Sequence, residues 1–348
     1  VKTPHLVSLA TATPSRVVEQ AETAAIAPQL FGGDSALLEA MRPVFENAGI
    51  DRRHLAQPLD WYSKSSGWKE TQALFVQHAL DLLERAARDA VAEAGLAMTD
   101  IDTVMTVCTT GISTPSLESH LKNRLSLRDD VMRLPIFGWG CAGGVLGLMR
   151  AADVAKAHPG SNVLLLVVEL CTLTFRPGEL TKSNVVASAL FGDGAAAAVI
   201  STTGSGPKIA AGCEHTWPDS LGVMGWRVED DGLGVVFSRD IPNLVRNDMK
   251  GVLDGFLQSQ GLILDDINAF APHPGGAKVL DALESVFGLT EGGLGDARDV
   301  LRNYGNMSSA TVMFVLQRVL RRGLTGRCLL SALGPGFTAA LGLLEAET

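Results

Sequence analysis

The sequence predicts an α/β protein made of two copies of one fold. Helical spacing of apolar residues alternates with short continuous apolar runs, and strands of that character between helices indicate a parallel-type sheet covered on both faces. One stretch also recurs: Gly95-Leu96-Ala97-Met98-Thr99-Asp100-Ile101-Asp102 resembles Gly261-Leu262-Ile263-Leu264-Asp265-Asp266-Ile267-Asn268, a shift of 166 positions. The same shift lays Cys141 to Gly160 on Met307 to Gly326, and Val163-Leu164-Leu165 on Leu329-Leu330-Ser331, without a gap. A period near half of 348 residues is a duplicated fold, since solenoid repeats are far shorter.

In chain order, Gln72 to Glu93 carries Leu74, Ala79, Leu82, Leu83, Ala86 and Ala90 at helical spacing and leads to the strand-like Thr103-Val104-Met105-Thr106-Val107. A helix opens at Cys141, runs toward Ala157, ends near Pro159-Gly160, and feeds a buried strand from Asn162 to Val168. The apolar Ala195 to Ile200 run is followed by Ser201-Thr202-Thr203-Gly204-Ser205-Gly206-Pro207, where turn residues cluster. That join divides the chain into halves 1–204 and 205–348. Gly192-Asp193-Gly194 reads as a tight turn.

Composition sets limits. With 46% hydrophobic content the chain can bury a large core, and no apolar run reaches the roughly 18 to 20 residues of a membrane span. The N-terminal Val1-Lys2-Thr3-Pro4-His5 lacks the apolar core of a signal peptide, so a cytoplasmic location is expected. Five cysteines, odd in number and without metal-ligand spacing, argue against a disulfide scaffold or a zinc site; Cys108, Cys213 and Cys328 lie in apolar segments and read as core. A net charge of -9 offers no basic field for nucleic acid.

Cys141 sits in Phe137-Gly138-Trp139-Gly140-Cys141-Ala142-Gly143-Gly144, between a strand-like run and a helix-like one. A thiol at a helix start is favoured as thiolate by the free N–H groups there, and the glycines would let a thioester approach closely. The second half supplies His273, in Ala271-Pro272-His273-Pro274-Gly275-Gly276, and Asn306, in Asn303-Tyr304-Gly305-Asn306-Met307-Ser308-Ser309. A thiolate that holds an acyl group, with an imidazole and an amide to stabilise enolate or tetrahedral oxyanions, suits carbon–carbon bond formation from thioesters, and the imidazole can also pair with the thiolate. Each has a plainer reading alone: a buried cysteine, a loop histidine, a helix N-cap. The repeat binds them together, because Cys141 and Asn306 open equivalent helices of the two halves.

These motifs resemble those of type III polyketide synthases, the chalcone and stilbene synthase family of the thiolase-fold superfamily. Gly140-Cys141-Ala142-Gly143-Gly144 is similar to the nucleophile motif, His273-Pro274-Gly275-Gly276 to the histidine motif and Tyr304-Gly305-Asn306-Met307-Ser308-Ser309 to the asparagine motif. Leu190-Phe191-Gly192-Asp193-Gly194 and Gly334-Pro335-Gly336-Phe337-Thr338 match two further signatures. The resemblance implies a five-layered α/β/α/β/α thiolase-like fold, usually a homodimer, acting on acyl-CoA and malonyl-CoA without metal or organic cofactor. It implies catalysis by Cys141, His273 and Asn306, with Phe191 as a gatekeeper between a coenzyme A tunnel and the cavity. Thr174, Cys171, Thr110 and the Gly334-Pro335-Gly336 loop would complete the substrate pocket.

Departures from the plant pattern qualify that implication. Few of the expected basic residues precede Ile50-Asp51-Arg52-Arg53, leaving Arg42, Arg52 and Arg53 as candidates for the coenzyme A phosphates, against solvated or salt-bridged roles. Cys171 replaces a threonine and reads as a small pocket-wall residue rather than a second nucleophile. Pro58-Leu59-Asp60-Trp61-Tyr62-Ser63-Lys64-Ser65-Ser66-Gly67-Trp68 is similar to a segment of bacterial members that make alkylresorcinols and alkylpyrones, which favours an aliphatic starter; the same aromatics also suit a packed Ω-like loop. Two competing functions remain: a single-condensation β-ketoacyl synthase, and a noncatalytic acyl-binding homologue.

Overall fold

A computed structural model describes residues 2–33, 36–64, 66–238 and 240–347. Val1 of the N-terminal stretch and Ser65 of the Trp-rich segment lie outside them. In the first half, strands Met132–Phe137, Thr103–Cys108, Asn162–Leu170, Asp193–Ser201 and His5–Ala12 lie side by side in that order. The second half orders Ala269–Pro272, Gly326–Gly334, Thr338–Ala346 and Lys208–Thr216 likewise, and the two sheets touch where His5 pairs with Lys208.

The repeat reappears in three dimensions. Strand Thr103–Cys108 corresponds to Ala269–Pro272, strand Asn162–Leu170 to Gly326–Gly334, and helix Gly143–Ala157 to Thr311–Arg321. Even the one-turn 3₁₀ helices Met98–Asp100 and Leu264–Asp266, each closed by an Asp carboxylate accepting a backbone N–H three residues earlier, are copies. Each lies ahead of its sheet strand, so the recurring Gly-Leu-x-x-x-Asp-Ile stretch is a local turn device.

Helices Gly143–Ala157 and Thr311–Arg321 form the middle layer. Each touches strands of both halves, and their side chains belong to one core with the inner faces of the two sheets. Helix Trp68–Glu93 covers the outer face of the first sheet, burying Phe75, Ala79, Leu83, Ala86 and Ala90 completely against its strands, and Ile241–Ser259 lies outside the second. Helix, sheet, helices, sheet, helix make the five layers of the thiolase fold. The predicted helix at 72–93 begins four residues earlier, at Trp68, because Gly67 takes an extended conformation and the polar Lys69-Glu70-Thr71 turn carries little apolar signal.

One expectation about the sheets is corrected. Strand Thr103–Cys108 runs parallel to both its neighbours and Ala269–Pro272 is parallel to Gly326–Gly334, but Asp193–Ser201, His5–Ala12, Thr338–Ala346 and Lys208–Thr216 pair antiparallel. A strand covered on both faces is apolar along its whole length whichever way its neighbour runs, so the pattern reports burial and not direction. Gly192-Asp193-Gly194 is no tight turn either: Asp193 opens a strand and is wholly buried.

Candidate active site

The chain enters the site through two left-handed glycines, Gly138 and Gly140 at φ +99° and +47°, and Cys141 lies in the 3₁₀ turn Gly140–Ala142 that opens helix Gly143–Ala157. The Gly140 N–H donates to Thr109 Oγ1 at 2.9 Å, fixing the turn to the end of the neighbouring strand. Gly143 and Gly144 serve a different end from the one expected. A Cβ on Gly144 would collide with the Ser309 carbonyl oxygen and Val312, and one on Gly143 would lie 2.7 Å from Val107 and 3.0 Å from Ser309. These glycines let the two central helices meet at their N-termini, rather than admitting substrate.

That approach brings the halves together. Cys141 Sγ lies 3.6 Å from Ser308 Oγ. Asn306 Oδ1 accepts from the Ser308 N–H at 2.8 Å, and its amide Nδ2 donates to the Gly275 carbonyl at 3.2 Å while also facing the Cys141 sulfur. Gly275 is two residues beyond His273, whose own N–H donates to Ser331 O at 2.7 Å. The imidazole is 4% exposed, yet neither ring nitrogen has a partner. Buried polar atoms without partners are uncommon, and these two ring nitrogens are free to meet a ligand.

Burial shifts the site's thiol and imidazole toward their neutral forms. Burial pushes the Cys141 thiol up to about 12; hydrogen bonds from Ser308 and Asn306 pull it down, and the Glu169 carboxylate opposes them. Burial likewise drives His273 down to about 3. Desolvation of the enclosed thiol thus works against the thiolate that the free N–H groups of the helix start favour.

Sequence reading missed Glu169 and Ser308. Glu169, wholly buried, accepts from the Thr109 and Thr110 N–H groups at 3.0 Å each, from Thr110 Oγ1 at 2.8 Å and from Ser309 Oγ at 2.7 Å. It ties the strand end beside Cys141 to the helix start beside Asn306. Its signal was visible: one acid inside the apolar run Val167-Val168-Glu169-Leu170. Ser308 adopts φ +47°, strained for a residue with a Cβ, which presents its hydroxyl to the thiol.

Phe191 is buried, with its ring 5.8 Å from Trp226 and 5.7 Å from Phe237. It borders a cavity of about 50 Å³ together with Cys171, Thr174, Tyr62 and Trp226. Thr174 donates to the Cys171 carbonyl at 2.7 Å, and burial raises the Cys171 thiol well above its usual range. Thr110 turns inward: its hydroxyl donates to Glu169 and accepts the Leu170 N–H at 2.9 Å, so it supports the pocket from behind. The Gly334-Pro335-Gly336 loop packs on the nucleophile turn, since a Cβ on Gly140 would come within 2.5 Å of the Pro335 ring and one on Gly334 within 2.6 Å of Ala142. Trp61 and Tyr62 lie in the 3₁₀ turn Leu59–Ser63, and Tyr62 is buried with its hydroxyl 2.6 Å from Thr172 Oγ1.

Of the three arginines, Arg42 is exposed beside Glu46 at 3.7 Å and Arg52 is exposed, donating to Asn303 Oδ1 at 2.9 and 3.2 Å. Arg53 is 2% exposed; its guanidinium points inward to the Ser188 and Phe191 carbonyls and Thr23, and the residue borders the cavity beside Phe191.

A buried thiol at a helix start, an amide just ahead of the equivalent helix and an unpartnered imidazole fit an acyl-transferring enzyme of the thiolase fold. The chain belongs to the chalcone and stilbene synthase family, whose N-terminal domain model matches residues 3–207 and C-terminal domain model residues 208–344. It is 41% identical to a 1,3,6,8-tetrahydroxynaphthalene synthase of Streptomyces peucetius subsp. caesius over 90% of this chain and 85% of that one. It is 30% identical to a phloroglucinol synthase of Pseudomonas fluorescens over 90% of both. The crystal structure of the 1,3,6,8-tetrahydroxynaphthalene synthase of Streptomyces coelicolor A3(2), a bacterial type III polyketide synthase, superposes with a TM-score of 0.94 over 99% of both chains at 27% identity. This chain is accordingly a type III polyketide synthase, an acyltransferase that extends an acyl starter by decarboxylative condensation with malonyl-CoA and cyclises the product. Among the described residues, no helix is long and apolar enough to cross a membrane.

Proposed function

We propose that Cys141 carries the growing chain and that His273 and Asn306 stabilise the enolate formed from malonyl-CoA. The observation that carries this reading is the pair of buried, unpartnered His273 ring nitrogens on a loop whose Gly275 carbonyl accepts from the Asn306 amide, the same amide that faces the Cys141 sulfur. Cys141 Sγ attacks the starter thioester, and its proton passes to the coenzyme A sulfur, which departs as the free thiol. Malonyl-CoA then loses carbon dioxide, and the negative charge left on its thioester oxygen is met by donors from His273 and Asn306. The enolate carbon attacks the Cys141-bound carbonyl, releasing the thiolate for the next round. The dry surroundings keep the enolate from protonation by water. Since a neutral imidazole donates through one nitrogen, the low pKa of His273 is compatible with this role.

The starter is an aliphatic acyl-CoA, a reading supported by the Pro58–Trp68 segment, whose Tyr62 borders the apolar cavity beside Phe191. Arg42 and Arg52, both at the surface, are the residues proposed to meet the coenzyme A phosphates. A cytoplasmic homodimer requiring no metal or organic cofactor completes the proposal. Met132 and Phe137, exposed along the outermost strand of the first sheet, support pairing with a second copy there. Incubation with malonyl-CoA and a panel of acyl-CoA starters, followed by mass spectrometry, tests the reading. Expected are an acyl adduct on Cys141, lost in Cys141→Ala and kept in Cys171→Ala, and cyclic products of more than one extension. An adduct that survives Cys141→Ala, or a product that stops at one β-ketoacyl unit, refutes it.

A further inference from the structure

We infer that Arg53 is a positioning residue for the decarboxylation step, locking Phe191 and Asn306 in register from the wall of the cavity that Phe191 also borders. The inference rests on the proposed role of Asn306.

Arg53 Nη1 donates to the carbonyls of Ser188 at 2.7 Å and Phe191 at 2.6 Å, while Nη2 donates to Thr23 Oγ1 at 2.9 Å. The Phe191 carbonyl therefore ends on a fixed, charged fork, and a charge-assisted bond of that kind holds direction better than a neutral one. The peptide on either side of Phe191 is tied to the asparagine motif. The Asn306 N–H donates to Leu190 O at 2.8 Å and the Gly192 N–H to Asn306 O at 3.0 Å, a short parallel bridge.

The stem of Arg53 lies against the same bridge from the other side. A Cβ on Gly305 would sit 2.8 Å from its Cδ and 2.9 Å from its Cγ, and one on Gly192 would be 3.7 Å from its Cβ. Gly305, at φ +67°, thus leaves room for both the turn and the arginine. Phe191 borders the cavity and Asn306 faces the thiol, so a sideways slip of this bridge displaces the cavity wall and the enolate donor together.

Burying a cation is costly, and a merely structural plug would be better made of apolar atoms. Desolvation lowers Arg53 to about 10, and the nearby Asp193 carboxylate partly compensates. Asp193 in turn accepts from Thr172 N and Oγ1 and from Ala56 N, anchoring the residue next to Cys171.

The test compares Arg53→Lys and Thr23→Val with Asn306→Ala in the full-length enzyme. Starter acylation of Cys141 is followed by mass spectrometry and carbon dioxide release from malonyl-CoA separately. Lysine keeps the charge and loses the fork; valine keeps the shape of Thr23 and removes one acceptor. Expected is carbon dioxide release down about 10- to 100-fold in Arg53→Lys and about 3- to 10-fold in Thr23→Val, with acylation within about threefold of the parent. If Arg53→Lys does not fold, Thr23→Val alone decides. Folded variants whose acylation and decarboxylation fall together, or whose decarboxylation is unchanged while Asn306→Ala loses it, overturn the inference. Normal decarboxylation in Asn306→Ala overturns instead the proposed role of Asn306 on which it stands.

Discussion

Replacing Glu169 by Gln should change the stability of this enzyme in a pH-dependent way, because the carboxyl is held up to about 7 instead of the usual 4.5, chiefly by burial. In the folded chain it keeps its proton to about pH 7, and in the unfolded chain it loses it near 4.5. Between those values the folded state binds more protons, so stability falls as pH rises through the window and the deficit is complete above it. At about 1.4 kcal/mol for each factor of ten, the gap is worth about 3 kcal/mol. Glutamine fits the same partners: its carbonyl oxygen can accept from Thr109 and Thr110, and its amide can donate to the Ser309 hydroxyl. Near pH 4.5, where both side chains are neutral, the two proteins should differ by about 1 kcal/mol or less. Near pH 8 the variant should have gained about 3 kcal/mol on the parent. Asp193, raised by burial from 3.8 to about 6, adds its own decline with pH but is present in both proteins and cancels. Urea unfolding at fixed protein concentration, repeated across this range, measures the difference. Parallel stability curves would refute the reasoning, since they would mean that Glu169 titrates in the fold as it does in the unfolded chain.

Two further outcomes follow from the geometry. With its thiol pushed up to about 12, Cys141 should react with iodoacetamide at a rate that keeps climbing above pH 9; a plateau below pH 8, read from the Cys141 peptide, would instead indicate a thiolate paired with protonated His273. Gly144→Ala should lower stability by about 1–3 kcal/mol, because its methyl meets the Ser309 carbonyl and Val312, and should slow acylation as Cys141 and Ser308 move apart. Unchanged melting temperature and acylation in that variant would mean that the helix starts separate without cost.

What the sequence made legible was whatever is written locally. The Gly95 and Gly261 turns share a capping Asp at the same spacing, so one chain displays its own duplication. Cys141, His273 and Asn306 stood out because each interrupts regular structure among glycines, and the offset of the repeat implied that two of them open equivalent helices. Strand direction left no trace, since Asp193–Ser201 is buried on both faces and would read the same either way. Arg53 shows the deeper limit. Beside Arg52, and two residues beyond Asp51, it has the spelling of a surface cation, yet its neighbour faces solvent while it lies in the core. In a short strand, alternate side chains point to opposite faces, so one residue of register decides between a solvent-facing cation and a buried one. That register is set by pairing with Arg16–Glu19 and by the Phe191 and Asn306 segments far along the chain, which is why adjacent identical residues take opposite roles.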